Sequence, residues 1–236
     1  MTATPVGTVD AAAQFPILTV GQAQSLVDAN PNDPRAHFAL SIAQSFAPGA
    51  AGKAKKVEQD FSVGLKLAGN NAELLMQVAS QMARNPRIGP AAPAYLFATA
   101  YALAADKNPA IRAQAGQFLY RYAQTVHKRD LLFTNTVVVS AVNRLGEMVQ
   151  NTQSAPLHAF IALAYHHIEQ APDSAQAIAS AQSLNPDSPE VHLVQGILDV
   201  DQNDPGSARK ELTMAAASSD APTWVVDEAK RLLKGL

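Results

Sequence analysis

Cysteine is absent from this chain of 236 residues, and several other residue classes are scarce. Without cysteine the chain cannot form disulfide bonds, thiolate nucleophiles or sulfur-ligated zinc sites. Glycine contributes 12 residues and charged residues make up 16% of the chain, whereas charged residues are about 25% of ordinary soluble domains. Every apolar stretch falls far short of the roughly 20 residues that a transmembrane helix needs. These shortages exclude a disulfide scaffold and predict no membrane span.

Alanine is abundant instead, with 45 residues. Because alanine is the best helix former, this composition predicts an all-α fold. The net charge of −2 offers no general attraction to nucleic acid. Two short basic stretches, 52–56 and 120–130, belong to no recognised nucleic-acid module. The composition therefore predicts helices throughout and does not predict a nucleic-acid partner.

Asn-Pro dipeptides interrupt the chain at regular intervals. They lie at Asn30-Pro31, Asn108-Pro109 and Asn185-Pro186, and weaker breaks lie near 70, 151 and 220. A residue before proline disfavours the α conformation, whereas proline is well tolerated in the first turn of the next helix. The breaks therefore predict a repeat domain over 19–236 with about five helical hairpins. The predicted hairpins are 31–69, 70–107, 108–150, 151–184 and 185–219, preceded by a flexible arm at 1–18 and a helix at about 20–29, and followed by a capping helix at 222–234.

Two helices can be recognised in the better-defined units. Residues 155–170 place apolar side chains on one helical face, and the sequence Ala-Pro-Asp at 171–173 turns the chain into a second helix. Residues 131–142 are rich in β-branched side chains, which favour strands. Their position in the third unit predicts a helix nonetheless, because no second strand lies nearby to pair with them. The apolar stretch Phe-Pro-Ile-Leu at 15–18 is a candidate to dock in a groove of its own chain or of a neighbouring copy.

The pattern of small and large apolar residues in these units resembles that of tetratricopeptide repeats. The resemblance covers about residues 20–236 and implies a right-handed superhelical solenoid whose concave face binds peptides or other proteins. Histidines stand where the family has an aromatic residue, at His37, His158 and His192. The residues that match the family's packing positions are Leu40 and Ser41 in the first unit, Val78, Ala79 and Met82 in the second, Ala115, Gly116 and Leu119 in the third, Ile161, Ala162, Tyr165, Ile178, Ala181 and Pro186 in the fourth, and Gly196, Ala208, Leu212 and Ala215 in the fifth.

The resemblance also implies which residues bind a partner, because the first helix of each hairpin lines the concave face in this family. A mixture of apolar, aromatic and arginine side chains at those positions is typical of protein-binding surfaces. The resemblance therefore predicts a non-catalytic scaffold or adaptor that holds a peptide or protein segment. By register, the expected groove residues are Arg35, Phe38, Ile42, Met76, Ser80, Arg84, Gln117, Tyr120, Arg121, Leu163, His166, His167, Leu193 and Ile197.

Six histidines raise the question of a metal site. Adjacent residues on a helix point about 100° apart, so His166 and His167 cannot easily bind one ion together. His37, His158 and His192 occupy equivalent positions in their units, which favours a packing role. The sequence contains no phosphate-binding loop, nucleophile elbow or zinc-protease motif. It therefore predicts no catalytic residue, no cofactor and no metal, and an enzyme or small-molecule binder built in the groove is the least supported alternative.

Charge is distributed unevenly along the chain. Residues 34–129 contain twelve Lys and Arg and four acids, a net charge of +8, and residues 130–208 contain one Arg and nine acids, a net charge of −8. One interpretation is that the N-terminal half steers an acidic partner. A second is a self-assembling structural protein, a homo-oligomer whose copies attract each other through their opposite charges. Drift of solvated surface charge explains the pattern equally well.

The N-terminal residues lack the basic start and the apolar run of a secretory signal. If Met1 is the natural start, this predicts a cytoplasmic protein. A leader removed from this terminus would instead predict an exported or periplasmic one.

Overall fold

The computed structural model describes residues 13–126 and 131–236, and those residues are helical or irregular, without a strand. An all-α fold is therefore confirmed for them, whereas residues 1–12 of the predicted arm lie outside the described ranges. None of the described helices is long and apolar enough to cross a membrane. The α-helices are α1 (Val20–Ala29), α2 (Pro34–Phe46), α3 (Ala54–Ala68), α4 (Ala72–Ala83), α5 (Ala91–Ala104), α6 (Pro109–Thr125), α7 (Leu131–Gln150), α8 (Ala155–His167), α9 (Ala171–Leu184), α10 (Pro189–Asp201), α11 (Pro205–Ala217) and α12 (Thr223–Leu233), and a short 3-10 helix spans Ala50–Lys53.

The chain divides into two compact units, Met1–Pro93 and Ala94–Leu236. Helices α1 to α4 belong to the N-terminal unit and α6 to α12 belong to the C-terminal unit, while α5 spans the division. The sequence predicted one repeat domain over 19–236, with no division at this point.

In the N-terminal unit, α1 and α3 both pack on α2. Helix α2 begins at Pro34, and the carboxylate of Asp33 caps it by accepting a hydrogen bond from the N–H of Arg35. Gly64 of α3 lies so close to Phe38 that an added Cβ atom would come within 2.8 Å of the ring. Helices α1, α2 and α3 of this unit therefore pack together around α2.

In the C-terminal unit, α8 packs on α9 and α10 packs on α11, which makes two successive hairpins. Their turns have the same structure 34 residues apart. Glu169 and Asn203 both adopt the left-handed backbone conformation, with φ of 63° and 59°. In each turn the next residue, Gln170 or Asp204, donates a backbone hydrogen bond to the carbonyl five residues before it. The fourth and fifth predicted units thus share one turn geometry.

The Asn-Pro breaks do not all act alike. Asn30 and Asn185 end α1 and α9 and lie outside the helix in extended or near-extended conformations. Asn108 instead starts a helix: it is the N-cap of α6, and its side-chain oxygen accepts hydrogen bonds from two backbone N–H groups of the first turn. The same dipeptide can end one helix or begin the next. Proline restricts the conformation of the residue before it and lacks a backbone N–H, and both effects are compatible with either position.

Helix α7 includes the whole β-branched stretch 131–142, so the prediction of a helix there is confirmed. The predicted capping helix is α12, which packs on α11 and fully buries Val225 and Ala229. It also packs on α10 and on α6, a contact that the sequence did not predict. Because α6 contacts α8 and α8 contacts α10, these three helices and α12 form a closed ring of contacts.

Candidate functional site

Half of the groove residues expected from the resemblance lie in the core instead. Each of the seven is at most 8% exposed, so a partner could reach none of them without repacking the protein. The physical reason is that the faces assigned to a groove by register pack against neighbouring helices, which excludes water from apolar side chains. These predictions of partner contact are therefore corrected to core positions, for Phe38, Ile42, Met76, Tyr120, Leu163, Leu193 and Ile197.

Tyr120 shows how the C-terminal unit fills the inner face of α6 with its own side chains. Its ring centroid lies 5.2 Å from that of Trp224 in α12, and its hydroxyl donates a 2.8 Å hydrogen bond to Glu228. Burial, followed by this bond, raises the pKa of Tyr120 well above its usual value, so the phenol stays a neutral donor. Hydrogen bonds from Arg231 are the main cause that lowers the pKa of Glu228. Helix α12 therefore occupies the position where the resemblance placed a partner.

Gln117 and Arg121 remain accessible beside α12. Together with residues of that helix they line an open surface hollow of about 480 Å³. Arg231 and Glu228 face each other across two hydrogen bonds of 2.8 Å in this hollow. Because the lining carries side chains of both charges, it offers no field that would select a ligand of one charge.

His166 and His167 point to different partners, as their adjacency predicted. The Nε2 atom of His166 lies 2.9 Å from a carboxylate oxygen of Asp201, whereas Nδ1 of His167 donates to the carbonyl oxygen of Ala123 at 2.8 Å. Over residues 13–126 and 131–236, no cluster of three or more His, Asp or Glu side chains could hold a metal ion.

The packing role predicted for the three equivalent histidines is confirmed, since His37, His158 and His192 are all buried. His37 and His158 make the same contact: Nε2 donates to the carbonyl oxygen six residues earlier, at 2.8 Å and 3.2 Å. His192 instead places Nδ1 2.7 Å from a carboxylate oxygen of Glu211.

The remaining expected groove residues belong to the N-terminal unit. Arg35 donates a hydrogen bond to the side-chain oxygen of Gln77, which joins α2 to α4. Ser80 is partly exposed and Arg84 is exposed, and both lie near the C-terminal end of α4. The accessible part of the predicted surface in this unit therefore lies around the end of α4.

An irregular segment of the chain docks at this end of α4. Phe15 is only 3% exposed. Its N–H donates a 2.9 Å hydrogen bond to the carbonyl oxygen of Gln81, and its own carbonyl oxygen accepts a 2.8 Å bond from the side-chain amide of Asn85. Three residues later, Leu18 packs against a buried cluster of Ala23, Leu40 and Ala43 in α1 and α2. We call this position, with residues 15–18 in it, the arm site; the predicted docking of 15–18 thus takes place within the chain itself.

Asn85 is fixed in place by contacts on both sides of its amide. It is 8% exposed, and its Oδ1 accepts a 3.1 Å hydrogen bond from the N–H of Arg87. Because this bond fixes the oxygen side of the amide, Nδ2 on the other side donates to the carbonyl oxygen of Phe15. The guanidinium of Arg87 in turn lies 5.7 Å from the ring centroid of Phe46, an exposed aromatic residue at the end of α2. The arm site therefore combines one buried amide, one carbonyl and an apolar cluster.

Sequence reasoning missed Gln81 and Asn85 as binding residues. Asn85-Pro86 is a fourth Asn-Pro dipeptide, and its position does not fit the intervals between the other three. That misfit was a usable signal, because a dipeptide outside the repeat pattern needs a local cause. Here the cause is an asparagine that holds two separate backbone segments together.

No protein-family model, curated protein or solved structure matches this chain. The resemblance to tetratricopeptide repeats therefore depends on the residue pattern and the helical hairpins alone.

Proposed function

We propose that this chain is a non-catalytic interaction protein, a tetratricopeptide-like scaffold that binds a segment of another protein at the arm site. The observation that supports the proposal is the docking of Phe15. One aromatic side chain is buried, and the backbone on both sides of it is held by hydrogen bonds. When an extended peptide is added to the edge of a sheet, backbone bonds give affinity and side-chain pockets give specificity, and the arm site divides these two roles in the same way.

The magnitude of these contacts suits recognition of a short segment. Burying the side chain of Phe15 contributes about 1.5–3 kcal/mol, the partial burial of Leu18 adds up to about 1.5 kcal/mol, and the two hydrogen bonds together add about 1–3 kcal/mol. Ordering a flexible peptide offsets part of this gain. The net affinity of an isolated peptide therefore lies at a dissociation constant of about 0.1–1 mM, and a partner with a larger interface would bind more tightly.

Self-assembly through opposite charges is the second candidate function. Arg112 of the basic stretch and Glu190 of the acidic stretch already pair with each other inside one chain, at 2.7 Å. This pair satisfies its charges without a second copy. The arm site, by contrast, is an arrangement that already holds a protein segment, and for this reason we favour segment binding.

A peptide titration tests the proposal. We expect the full chain with Phe15→Ala to bind a peptide of residues 12–19, Ala-Ala-Gln-Phe-Pro-Ile-Leu-Thr, with a dissociation constant of about 0.1–1 mM. The side-chain amide signals of Asn85, followed by NMR, should shift on binding. Adding Asn85→Ala should weaken binding about 2- to 12-fold, the loss of one hydrogen bond.

Asn70→Ala provides a matched control, because Asn70 is an exposed asparagine in a turn of the same unit. It should leave the affinity unchanged. Circular dichroism would show whether each variant keeps its helical content. If the Phe15→Ala chain stays helical and no signal saturates at 5 mM peptide, the proposed function is wrong.

A further inference from the structure

The arm site is occupied by the chain's own residues, so any partner has to compete with them. We infer, on the basis of the proposed function, that residues 13–18 are an internal ligand that holds the place of a partner segment. That partner segment has an aromatic residue followed by proline, with an aliphatic residue two positions after the proline. The inference names the chemistry of the partner and the way in which access to the site is controlled.

The aromatic residue is required by burial. Phe15 is the only residue of 13–18 that is fully buried; the others are exposed or partly exposed. A smaller side chain would leave apolar surface unfilled at the same position. Because the N–H of Phe15 donates to Gln81, the anchor residue also needs an N–H, which excludes proline there.

Proline at the next position acts through the backbone. Pro16 is exposed, so its ring is not selected by a pocket. A residue that precedes proline is restricted to extended conformations, and proline fixes its own φ angle. A segment with this dipeptide therefore loses less conformational freedom on docking than one without it. Proline lacks a backbone N–H, and this costs nothing here because the hydrogen bonds of the arm site use the N–H and the carbonyl oxygen of Phe15.

The aliphatic residue has a defined place as well. Leu18 packs against the cluster formed by Ala23, Leu40 and Ala43. Helix α2 supplies part of this cluster and is joined to α4 by the hydrogen bond from Arg35 to Gln77, so the second contact of the segment is fixed relative to the first. A partner segment must therefore keep the spacing of three residues between its aromatic and aliphatic anchors.

Occupancy by the chain itself follows from its short connection. Residue 19 is the N-cap of α1, with its hydroxyl accepting from the N–H of Gln22, and α1 packs on α2. The arm is thus tethered within a few residues of the site, which gives an effective concentration of about 5 mM. With an intrinsic dissociation constant of about 0.1–1 mM, the tethered arm weakens binding of an external segment by roughly 5- to 50-fold.

This tether also favours a foreign segment over exchange of arms between two copies. To donate its arm to a second copy, a chain would have to carry Phe15 away from its own site while α1 stays packed on its own α2. Few residues lie between the anchor and that helix. We therefore assign the external ligand as a partner protein rather than a second copy.

The test compares one peptide on two proteins and three peptides on one protein. The peptide of residues 12–19 should bind the full chain with Phe15→Ala about 5- to 50-fold more tightly than it binds the wild-type chain. On the Phe15→Ala chain, replacing the phenylalanine or the leucine of the peptide by alanine should weaken binding at least about fivefold. The Phe15→Leu chain keeps an apolar anchor, so its affinity for the peptide should lie between those of the wild-type and Phe15→Ala chains. This variant guards against a folding defect in Phe15→Ala.

Leu67→Ala, a truncation of an exposed leucine in α3, is the control and should bind the peptide as the wild-type chain does. Equal affinities for wild type and Phe15→Ala would overturn the internal competitor while leaving the proposed function intact. Binding that ignores the phenylalanine of the peptide would overturn the motif. A wild-type dimer that Phe15→Ala converts to a monomer would show that the external occupant is a second copy, which also overturns the inference.

Discussion

Glu190 is a fully buried carboxylate in a chain that has few charged residues. Its two oxygens lie 2.7 Å from Nε and from Nη2 of Arg112, and the hydroxyl of Ser188 donates a further bond of 3.1 Å. Hydrogen bonds to Glu190 raise the pKa of Arg112, so the guanidinium stays charged at every ordinary pH. Burial, and then the charge of Glu190, raises the pKa of Tyr101, whose hydroxyl also faces this carboxylate.

Such a pair stabilises a fold only while both partners are present, because one buried charge alone has lost its water without compensation. We therefore expect Arg112→Met to lower the free energy of unfolding by about 3–5 kcal/mol. Replacing both residues, Arg112→Met with Glu190→Leu, should recover much of this loss. The measurement is urea denaturation followed by circular dichroism.

Arg209→Met is the matched control for this experiment, since Arg209 is an exposed arginine with one hydrogen bond to the C-terminal residue. It should change the stability by less than about 1 kcal/mol. A similarly small effect for Arg112→Met would mean that the pair contributes little to the fold.

At the scale of the helical elements, the turns after α8 and α10 differ in the residue that adopts the left-handed conformation, Glu169 in one and Asn203 in the other. Both turns place one residue in the left-handed region, where asparagine is tolerated better than most residues and glutamate is not. We expect Asn203→Glu to lower the free energy of unfolding by about 1 kcal/mol and Glu169→Asn to raise it by a similar amount. Denaturation of the two single variants measures both values.

The two substitutions serve as controls for each other, because they exchange the residues of equivalent turns. Opposite signs would show that backbone conformation decides the effect. If both variants lose stability, side-chain contacts of the original residues outweigh the backbone term.

The same elements show what could be predicted from sequence. Helix boundaries next to proline, as at Pro34 and Pro189, were predictable because proline restricts the backbone only of itself and of the residue before it. The stretch 131–142 was predictable only from its place in the repeat, since its β-branched residues favour a strand locally. The role of Asn108 could not be read from the dipeptide, because both ways of using proline are compatible with it.

The candidate site was less accessible to sequence reasoning than the helices were. Burial of Leu163 and Leu193 depends on which helices pack against α8 and α10, and a register taken from a single hairpin does not contain that information. The contact of α12 with α6 joins residues that are far apart in the chain, as does the bond from Asn85 to Phe15. The apolar face of α8 was predicted correctly, whereas the choice between core and surface for Leu163 and Leu193 was not.

For the whole molecule, the uneven charge distribution bears on whether copies of the chain assemble. Residues 34–129 and 130–208 carry net charges of +8 and −8, but Arg112 and Glu190 of these two stretches already pair within the chain. Attraction between copies would act mainly through exposed charges, and such attraction depends strongly on salt because the Debye length falls from about 30 Å at 0.01 M to about 10 Å at 0.1 M.

We expect the mass of the wild-type chain, measured by light scattering after size exclusion, to stay that of a monomer from 0.01 M to 0.5 M salt. The reason is that the proposed function uses a site which the chain fills by itself, so no second copy is needed. Lys55→Glu with Lys56→Glu reverses two exposed charges of α3 and should leave the mass unchanged. A wild-type dimer at low salt that dissociates as salt rises, and that this double variant fails to form, would instead support charge-driven self-assembly as the function of the chain.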